Sequence, residues 1–251
     1  MPRDNCPILV GGGQITQRDI DPVEALGPID LMVAAAEAAR EDAQAPRALW
    51  ERIDTARMVQ FLSGKYDDPA GLLCSRLGIG AAERTISDTG GNTPQALVNR
   101  TAEDLSKGRC RAALLVGGEV LSSMVAALRA GLTPKWAERD GAQAIPNLVD
   151  YSGSADHETP YGFRHPANVY PLFENAYRAH RGWSIEEHQQ RLGELFSPFT
   201  RVAATNPYAW FRGERSADEI TTEGPRNRYV GWPYTKLMNA MILVDQAAAL
   251  I

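Results

Sequence analysis

Hydrophobic residues in the first half of the chain alternate between runs typical of buried strands and spacings typical of helices that bury one side. The pattern predicts strands over residues 7–10, 55–61, 84–87 and 112–116. It predicts helices over residues 29–43, 69–77 and from Asn92 to just before Gly108. Strands that alternate with helices in this way indicate an α/β fold built in layers around a sheet.

The pattern changes after residue 120. From Leu121 to Val230, long polar and aromatic loops are interrupted by two amphipathic helices, around residues 170–181 and 184–204. Ser184 and Glu187 have the spacing of a capping box at the start of the second helix. We therefore expect residues 1–120 to form the first part of a core, 121–230 an inserted loop or lid region, and 231–251 a return to the core.

The last residues predict a strand that begins near Trp232, followed by a helix whose pattern is still running at Ile251. Chains rarely end inside a helix. We therefore expect a second half, in the same polypeptide or in another subunit, to complete the fold. Without that half, a sheet edge and a helix face would be exposed apolar surface.

Composition excludes several classes of function. The 251 residues are 44% hydrophobic and 23% charged with a net charge of −5, which describes a globular chain with a sizeable core and does not favour nucleic acid as a partner. The sequence has no apolar run approaching ~20 residues, so we expect no membrane span and a cytoplasmic location. Cys6, Cys74 and Cys110 lack the spacing of disulfide or zinc motifs, and the four histidines fit no metal motif.

Residues 84–119 contain the strongest candidate for a chemical site. They are predicted to form a strand, a turn, a helix and a second strand. The turn contains Gly90 and Gly91, and Asn92 or Thr93 is placed to cap the helix that follows. Backbone N–H groups at a helix start attract anions, so this turn is suited to hold a phosphate or an acyl oxygen. A cysteine there would be an activated nucleophile, but the turn contains none.

The helix after this turn is predicted to bury one side, and the next strand is predicted to be fully buried and to end at Gly117 and Gly118. Four residues define the apolar side of the helix: Ala96, Leu97, Ala102 and Leu105. The unit therefore has an apolar interior and a polar turn at its end.

Several segments resemble thiolases. Residues 90–96, Gly-Gly-Asn-Thr-Pro-Gln-Ala, resemble the thiolase turn Cys-Gly-Ser-Gly-x-Gln-Ala, and residues 117–122 resemble the turn Gly-Gly-x-Glu-x-Met-Ser after the following strand. Residues 10–14 and 28–36 resemble the thiolase first-strand turn and first helix. Residues 239–249 resemble the Asn-Ala-Ser-Gly-x-Asn-Asp-Gly-Ala-Ala segment that opens a helix beside pantetheine.

Within that superfamily, residues 202–211 and 233–239 resemble thiolase-like proteins of the acetyl-CoA acetyltransferase type, relatives of the sterol-carrier thiolases. The resemblance implies an α/β fold consisting of one thiolase-like layered βαβαββ half, arranged αβα, with an inserted lid. It also implies a place in lipid metabolism, with coenzyme A or an acyl-CoA as substrate or ligand and no permanently bound cofactor.

Thiolases use the cysteine of the turn to form an acyl-enzyme, and a histidine and a second cysteine from their C-terminal half as acid and base. Gly90 stands at the nucleophile position here, which argues against ordinary thiolysis or Claisen condensation. His157 and His165 are the remaining acid/base candidates, with structural roles as the alternative. The candidate ligand-binding residues are Gly90, Gly91, Asn92, Thr93, Asn239 and Met241. Arg212 is added as one of several lone arginines that could hold the 3′-phosphate of coenzyme A, with a solvated surface ion pair as the alternative.

Three functions remain open at this stage. The first is an acyltransferase that needs residues from a second half or subunit, in a homo- or hetero-oligomer. The second is a non-catalytic acyl-CoA binder or scaffolding half. The third is a Rossmann-type nucleotide-binding enzyme, which depends only on Gly11–Gly13 and lacks the third glycine of the usual fingerprint.

Overall fold

A computed structural model describes residues 6–141, 154–163 and 165–251. These residues divide into two compact units. The core unit comprises residues 6–141 and 242–251, and the second unit comprises residues 154–163 and 165–241. Residues 121–139 lie in the core unit because Leu121, Met124 and Trp136 are buried in its apolar interior.

The core unit is built on a five-stranded sheet with the order β1-β7-β4-β2-β3. Strand β2 pairs in parallel with β3 and β4, whereas β7 is antiparallel to both β1 and β4. The strands are β1 (Gly12–Thr16), β2 (Thr55–Met58), β3 (Glu83–Ile86), β4 (Ala113–Val120) and β7 (Asp245–Leu250). The predicted α/β fold is confirmed.

Five helices belong to this unit: α1 (Pro28–Asp42), α2 (Pro69–Leu77), α3 (Thr93–Ser106), α4 (Leu121–Arg129) and α5 (Lys135–Arg139). The chain moves from β2 to β3 through α2 and then returns past β2 to β4 through α3. Because such crossovers are right-handed, α2 and α3 cover opposite faces of the sheet. Helices therefore lie on both faces of the sheet, which gives the αβα layers.

Two apolar helices cover one face of the sheet. Helix α1 buries Ile29, Met32 and Ala36, and α2 begins at an Asp68 cap and ends at Gly78 in the left-handed conformation. Alternate residues of β2 divide between the faces: Met58 joins the apolar core, whereas Arg57 is buried among residues of α3. The two faces of the sheet therefore differ, one apolar and one carrying buried charge.

The first strand does not lie where the sequence predicts it. Residues 7–10 form no regular element, and β1 instead runs through the glycines that the sequence assigns to a turn. The reason is close packing: a Cβ on Gly13 would meet the backbone of α1 and lie 2.9 Å from Ala38 Cβ. These glycines therefore bring strand and helix together, and the segment lacks a turn that would cradle a dinucleotide.

The predicted C-terminal helix is also wrong, because residues 245–250 form strand β7. The strand does not begin near Trp232, since that residue lies in the second unit. Alanine-rich β7 lies between β1 and β4, where Ala247 and Ala249 are buried under α1. Small side chains fit this close contact, and the pairing on both sides overrides the helical preference of alanine.

The structure also differs from the sequence prediction at strand β4 and at the buried side of α3. Strand β4 does not end at Gly117 but continues to Val120. The four residues predicted to line a buried side of α3 are not buried: Ala96 is exposed, and Leu97, Ala102 and Leu105 are half-buried. The buried residues of this helix are instead Thr101 and Asp104, because the sheet face beneath it presents Arg57.

The second unit consists mainly of helices, with α6 (Pro166–Arg181), α7 (Ile185–Thr205) and α8 (Ala217–Thr221). A small antiparallel pair, β5 (Tyr229–Gly231) and β6 (Tyr234–Thr235), lies beside them. The predicted capping box at Ser184 and Glu187 is present. None of the helices in the described part of the chain is long and apolar enough to cross a membrane.

Gly13→Ala tests the close approach between β1 and α1. We expect the added methyl group to force the helix away from the sheet and to lower the free energy of unfolding by about 1–3 kcal/mol. Gly80→Ala is the control, because a Cβ there has no atom within 4 Å and its backbone does not have a positive φ. Equal stabilities of the two variants in urea unfolding would contradict this account.

Candidate functional site

The carboxyl ends of three parallel strands define a candidate site in the core unit. Met58 pairs with Ile86 on one side and with Val116 on the other, so β2, β3 and β4 reach this edge of the sheet together. The segments that leave β2 and β3 contain Ser63 and the turn at Gly90, and Glu119 lies in the last residues of β4. Ligands of α/β proteins commonly bind at this edge.

The turn between β3 and α3 has the form that the sequence predicts, a strand that leads into a helix start. The Thr93 hydroxyl donates a hydrogen bond of 2.6 Å to the carbonyl of Gly90, and the Thr93 amide donates to the same carbonyl at 3.1 Å. The side chain of Asn92 makes no capping hydrogen bond. The positive end of the α3 dipole is therefore not neutralised by a capping side chain.

Neither glycine of this turn is required by the backbone conformation. A Cβ on Gly90 would lie 2.9 Å from Asn92 Oδ1 and from Thr93 Oγ1, so both side chains would have to shift, and the Thr93 hydroxyl would weaken its hydrogen bond to the Gly90 carbonyl. A Cβ on Gly91 would have no neighbour within 4 Å. A side chain would therefore fit at Gly91, and at Gly90 once those two side chains shift, so the absence of a nucleophile at Gly90 is not imposed by the fold.

A buried ion pair attaches α3 to the sheet. The guanidinium of Arg57 binds the Asp104 carboxylate, donates to Thr101 Oγ1 at 2.9 Å and lies 3.0 Å from Glu83. Its hydrogen bond to Asp104 lowers the pKa of that carboxyl to about 2. These contacts hold the C-terminal half of α3 against the sheet.

Glu119 ties the end of β4 to the segment that follows β2. One carboxylate oxygen accepts the backbone N–H of Leu62, and the other accepts the N–H of Ser63 at 3.1 Å. Burial raises the pKa of Glu119, and the two backbone hydrogen bonds and the Ser63 side chain oppose that rise. Sequence reasoning did not select this residue, although a carboxylate directly after a buried strand was a usable signal.

Asp245 pairs with Val120, the residue after Glu119, and holds the start of α4. Its buried carboxylate accepts the Ser123 amide at 3.1 Å and the Ser123 hydroxyl at 2.5 Å. A carboxylate at a helix N-terminus complements the helix dipole. Both acidic residues are therefore engaged by backbone N–H groups and shape the edge of the sheet.

The other predicted site residues lie in the second unit. Arg212 is exposed, Asn239 donates from its side chain to the Thr235 carbonyl at 2.7 Å, and Met241 is partly exposed. His157 and His165 are both exposed, and within the described residues neither has a carboxylate within 4.0 Å. No contact therefore supports an acid/base role for either histidine.

A different histidine of the second unit is buried. His188 is 2% exposed, and its Nε2 lies 3.0 Å from Glu174 Oε1. The Tyr234 hydroxyl donates to the other oxygen of Glu174, and Trp183 stacks on the His188 ring. This cluster joins α6, α7 and β6, and no periodicity in the sequence indicated it.

Two solved structures share this architecture. A monomeric SCP2-thiolase-like protein type 1 from Mycobacterium smegmatis is 27% identical, with a TM-score of 0.73 over 100% of this chain and 45% of that protein. The Ltp2-ChsH2(DUF35) aldolase is 16% identical, with a TM-score of 0.65 over 96% of this chain and 54% of that one. The chain has a thiolase-like fold and spans about half the length of these structures.

No protein-family model and no curated protein matches the chain. The fold assignment therefore rests on structural similarity alone.

The pH dependence of stability tests the ion pair beneath α3. The folded pKa of Asp104 is about 2 against an ordinary 3.8, so its ionised form stabilises the fold above pH 3.8 and loses that effect as the pH falls toward 2. We expect Asp104→Asn to lower the thermal midpoint at neutral pH, and the difference from the unmodified protein to shrink across that acid range. Asp88→Asn, at an exposed carboxylate without an ion pair among the described residues, is the control. A difference that stays constant with pH would contradict the assignment.

Proposed function

We propose that the core unit binds the thioester end of an acyl-CoA at the turn formed by Gly90, Gly91, Asn92 and Thr93, without forming an acyl-enzyme. The observation that carries this proposal is the start of α3, which lies at the carboxyl edge of the sheet and has no capping side chain at Asn92. Backbone N–H groups at such a position stabilise negative charge on an acyl oxygen.

The second part of the proposal is that nothing covalent forms at this turn. Gly90 has no side chain to attack the thioester. Cys74 and Cys110 are buried, and burial raises the pKa of both thiols, which makes them poor nucleophiles. Acyl transfer by this chain would therefore need a nucleophile from elsewhere, and we favour binding over turnover.

We further propose that a second thiolase-like half, in the same polypeptide or in a partner subunit, completes the site. Two features of the core unit support this. The apolar residues Leu97 and Leu105 of α3 are only half-buried, and the sheet face at Gln14 and Ala248 bears an open groove of about 270 Å³. Both features offer packing surface to a second layered unit.

For the second unit by itself, we propose that Arg212 can contact a phosphate group of coenzyme A and that Asn239 and Met241 can contact a pantetheine arm. The exposed guanidinium of Arg212 has no carboxylate partner among the described residues, so it is available to an anion. One side-chain N–H of Asn239 already donates to the Thr235 carbonyl, so its other N–H and its side-chain carbonyl oxygen are the groups that could contact a ligand.

Gly91→Asp tests binding at the turn. We expect the chain to fold, because a Cβ at Gly91 meets no atom, and we expect the new carboxylate to repel the ligand and weaken acetyl-CoA binding roughly tenfold or more. Calorimetric titration measures the change. Gly80→Asp adds the same charge at another open glycine of the core unit and should bind as the unmodified chain does. Equal affinities for all three proteins, or no binding to the unmodified chain, would reject the proposed site.

Gly90→Cys tests the position of the nucleophile. A thiolate at the start of α3 should attack acetyl-CoA, so that the acetyl group passes to the cysteine sulfur and coenzyme A leaves as its thiol after taking the cysteine proton. Intact-mass spectrometry should detect one added acetyl group, in a Cys6→Ser background because Cys6 is exposed. Ser106→Cys, at the opposite end of the same helix, should react far more slowly. Equal reactivity at both ends, or none at Gly90→Cys in a chain that binds acetyl-CoA, would contradict the assignment.

A further inference from the structure

The connection between α6 and α7 contains a half-buried indole, that of Trp183. Its ring packs edge-on against Tyr177 of α6, with ring centroids 5.6 Å apart, and His188 of α7 stacks on it at 5.8 Å. Arg178 donates a hydrogen bond of 2.8 Å to the Trp183 carbonyl. Side chains from both helices therefore hold the ring and the backbone of this residue in place.

Two arginine side chains lie against this indole. The guanidinium carbons of Arg181, the last residue of α6, and Arg191, in the second turn of α7, lie 4.9 Å and 4.4 Å from the ring centre. Both distances are typical of a cation–π contact, and together they limit the separation of the two guanidinium carbons to at most about 10 Å. Both arginines are exposed, so two solvent-accessible cations from different helices meet at one ring.

No carboxylate of the described residues balances this charge. Within that part of the chain, neither Arg181 nor Arg191 has an acidic group within 4.0 Å. The carboxylates at positions i−4 and i+3 from Arg191 are the ones that could pair with it along α7. Both are engaged elsewhere, because Glu187 accepts a backbone N–H at 2.9 Å in the capping box and Glu194 accepts from Gln190 at 2.8 Å. The two guanidinium groups therefore keep donors for an anion from outside the chain.

The helix dipole explains only part of this positive charge. Cations in the last turn of a helix are stabilised by its dipole, which explains Arg178 and Arg181 of α6. Arg191 lies beyond the first turn of α7, near the helix end that favours anions, so the dipole gives it no stabilisation. Holding two like charges at one ring costs free energy, and an anion between them would remove that cost.

We propose that Arg181 and Arg191 form a binding site for a diphosphate group beside Trp183. A guanidinium that stacks on an aromatic face keeps the N–H groups of its edge free, and this fork of donors matches two oxygens of a phosphate. Two such groups match the two phosphates of a diphosphate. The indole orients both groups before the ligand arrives, so less side-chain entropy is lost on binding. This inference does not depend on acyl-CoA binding at the turn near Gly90.

The exposure of the two arginines predicts weak binding that depends on salt. Water and ions screen the attraction between exposed charges, so we expect a dissociation constant for pyrophosphate on the order of 1 mM at low ionic strength. The affinity should fall as the ionic strength rises from about 0.01 M to about 0.15 M, because the Debye length shortens from about 30 Å to about 8 Å.

Titration with inorganic pyrophosphate, followed by the NMR signal of the Trp183 indole N–H, tests the proposal. The signal is assigned by its loss in Trp183→Phe. It should shift in the unmodified chain, and Arg181→Gln and Arg191→Gln should each weaken binding at least tenfold. Arg201→Gln is the matched control, because Arg201 is exposed on α7 and stacks on no aromatic ring of the described residues. An unshifted signal, or equal weakening by all three arginine variants, would overturn the site.

Arg191→Lys separates recognition by the guanidinium fork from simple attraction between charges. Lysine keeps the positive charge but cannot donate as a fork, so this variant should bind pyrophosphate several-fold more weakly than the unmodified chain. Sodium chloride at the same ionic strength should not reproduce the shift of the Trp183 signal. A lysine variant that binds as tightly as the unmodified chain, or the same shift with chloride, would show only a general electrostatic effect and would overturn the proposed diphosphate site.

A competition experiment identifies the source of the diphosphate. If the site takes the diphosphate of coenzyme A, added coenzyme A should displace pyrophosphate and shift the same Trp183 signal. If it takes a free diphosphate, pyrophosphate alone should shift that signal. Pyrophosphate has no thioester, so a failure of acetyl-CoA to bind at the turn near Gly90 would leave the result at Arg181 and Arg191 unchanged.

Discussion

The core unit depends on the insertion of β7 between β1 and β4. This strand comes from the far end of the sequence, and it connects two strands that would otherwise be edges. It is rich in alanine, and Gly13 and Gly118 lie on the neighbouring strands, so α1 can lie close above the sheet. The parallel part of the sheet, and the turn that it carries, are positioned by a contact that no local sequence pattern specifies.

The sequence predicted the elements whose causes are local. Helix α2 matches its predicted bounds because Asp68 and Pro69 begin it and Gly78 ends it. The errors arose where tertiary contact decides the outcome. An alanine-rich segment suits either a helix or a central strand, and pairing on both sides made it β7. Glycines that look like a turn in sequence became a strand pressed against a helix.

Burial was the least predictable property. Periodicity gives the position of α3 and of α6 apart from its first turn, residues 166–169, but not which side of either helix is buried. Arg57 draws the polar side of α3 onto the sheet through Asp104. In α6, Glu174 and Asn175 face inward and the aromatic rings face outward. The same long-range contacts explain why sequence reasoning located the turn at Gly90 but missed Glu119 and the cluster around His188.

The register of the sheet also has a consequence for how the chain acquires its fold. Val120 and Asp245 are paired neighbours in β4 and β7, so residues 121–244 begin and end at the same point of the sheet. Closing a loop of that length costs on the order of 4 kcal/mol when the loop is unstructured, and less when its own helices have already shortened it. During synthesis, the gap between β1 and β4 cannot be filled until the second unit has left the ribosome. The rate at which the inserted unit forms therefore governs how quickly the central sheet becomes complete.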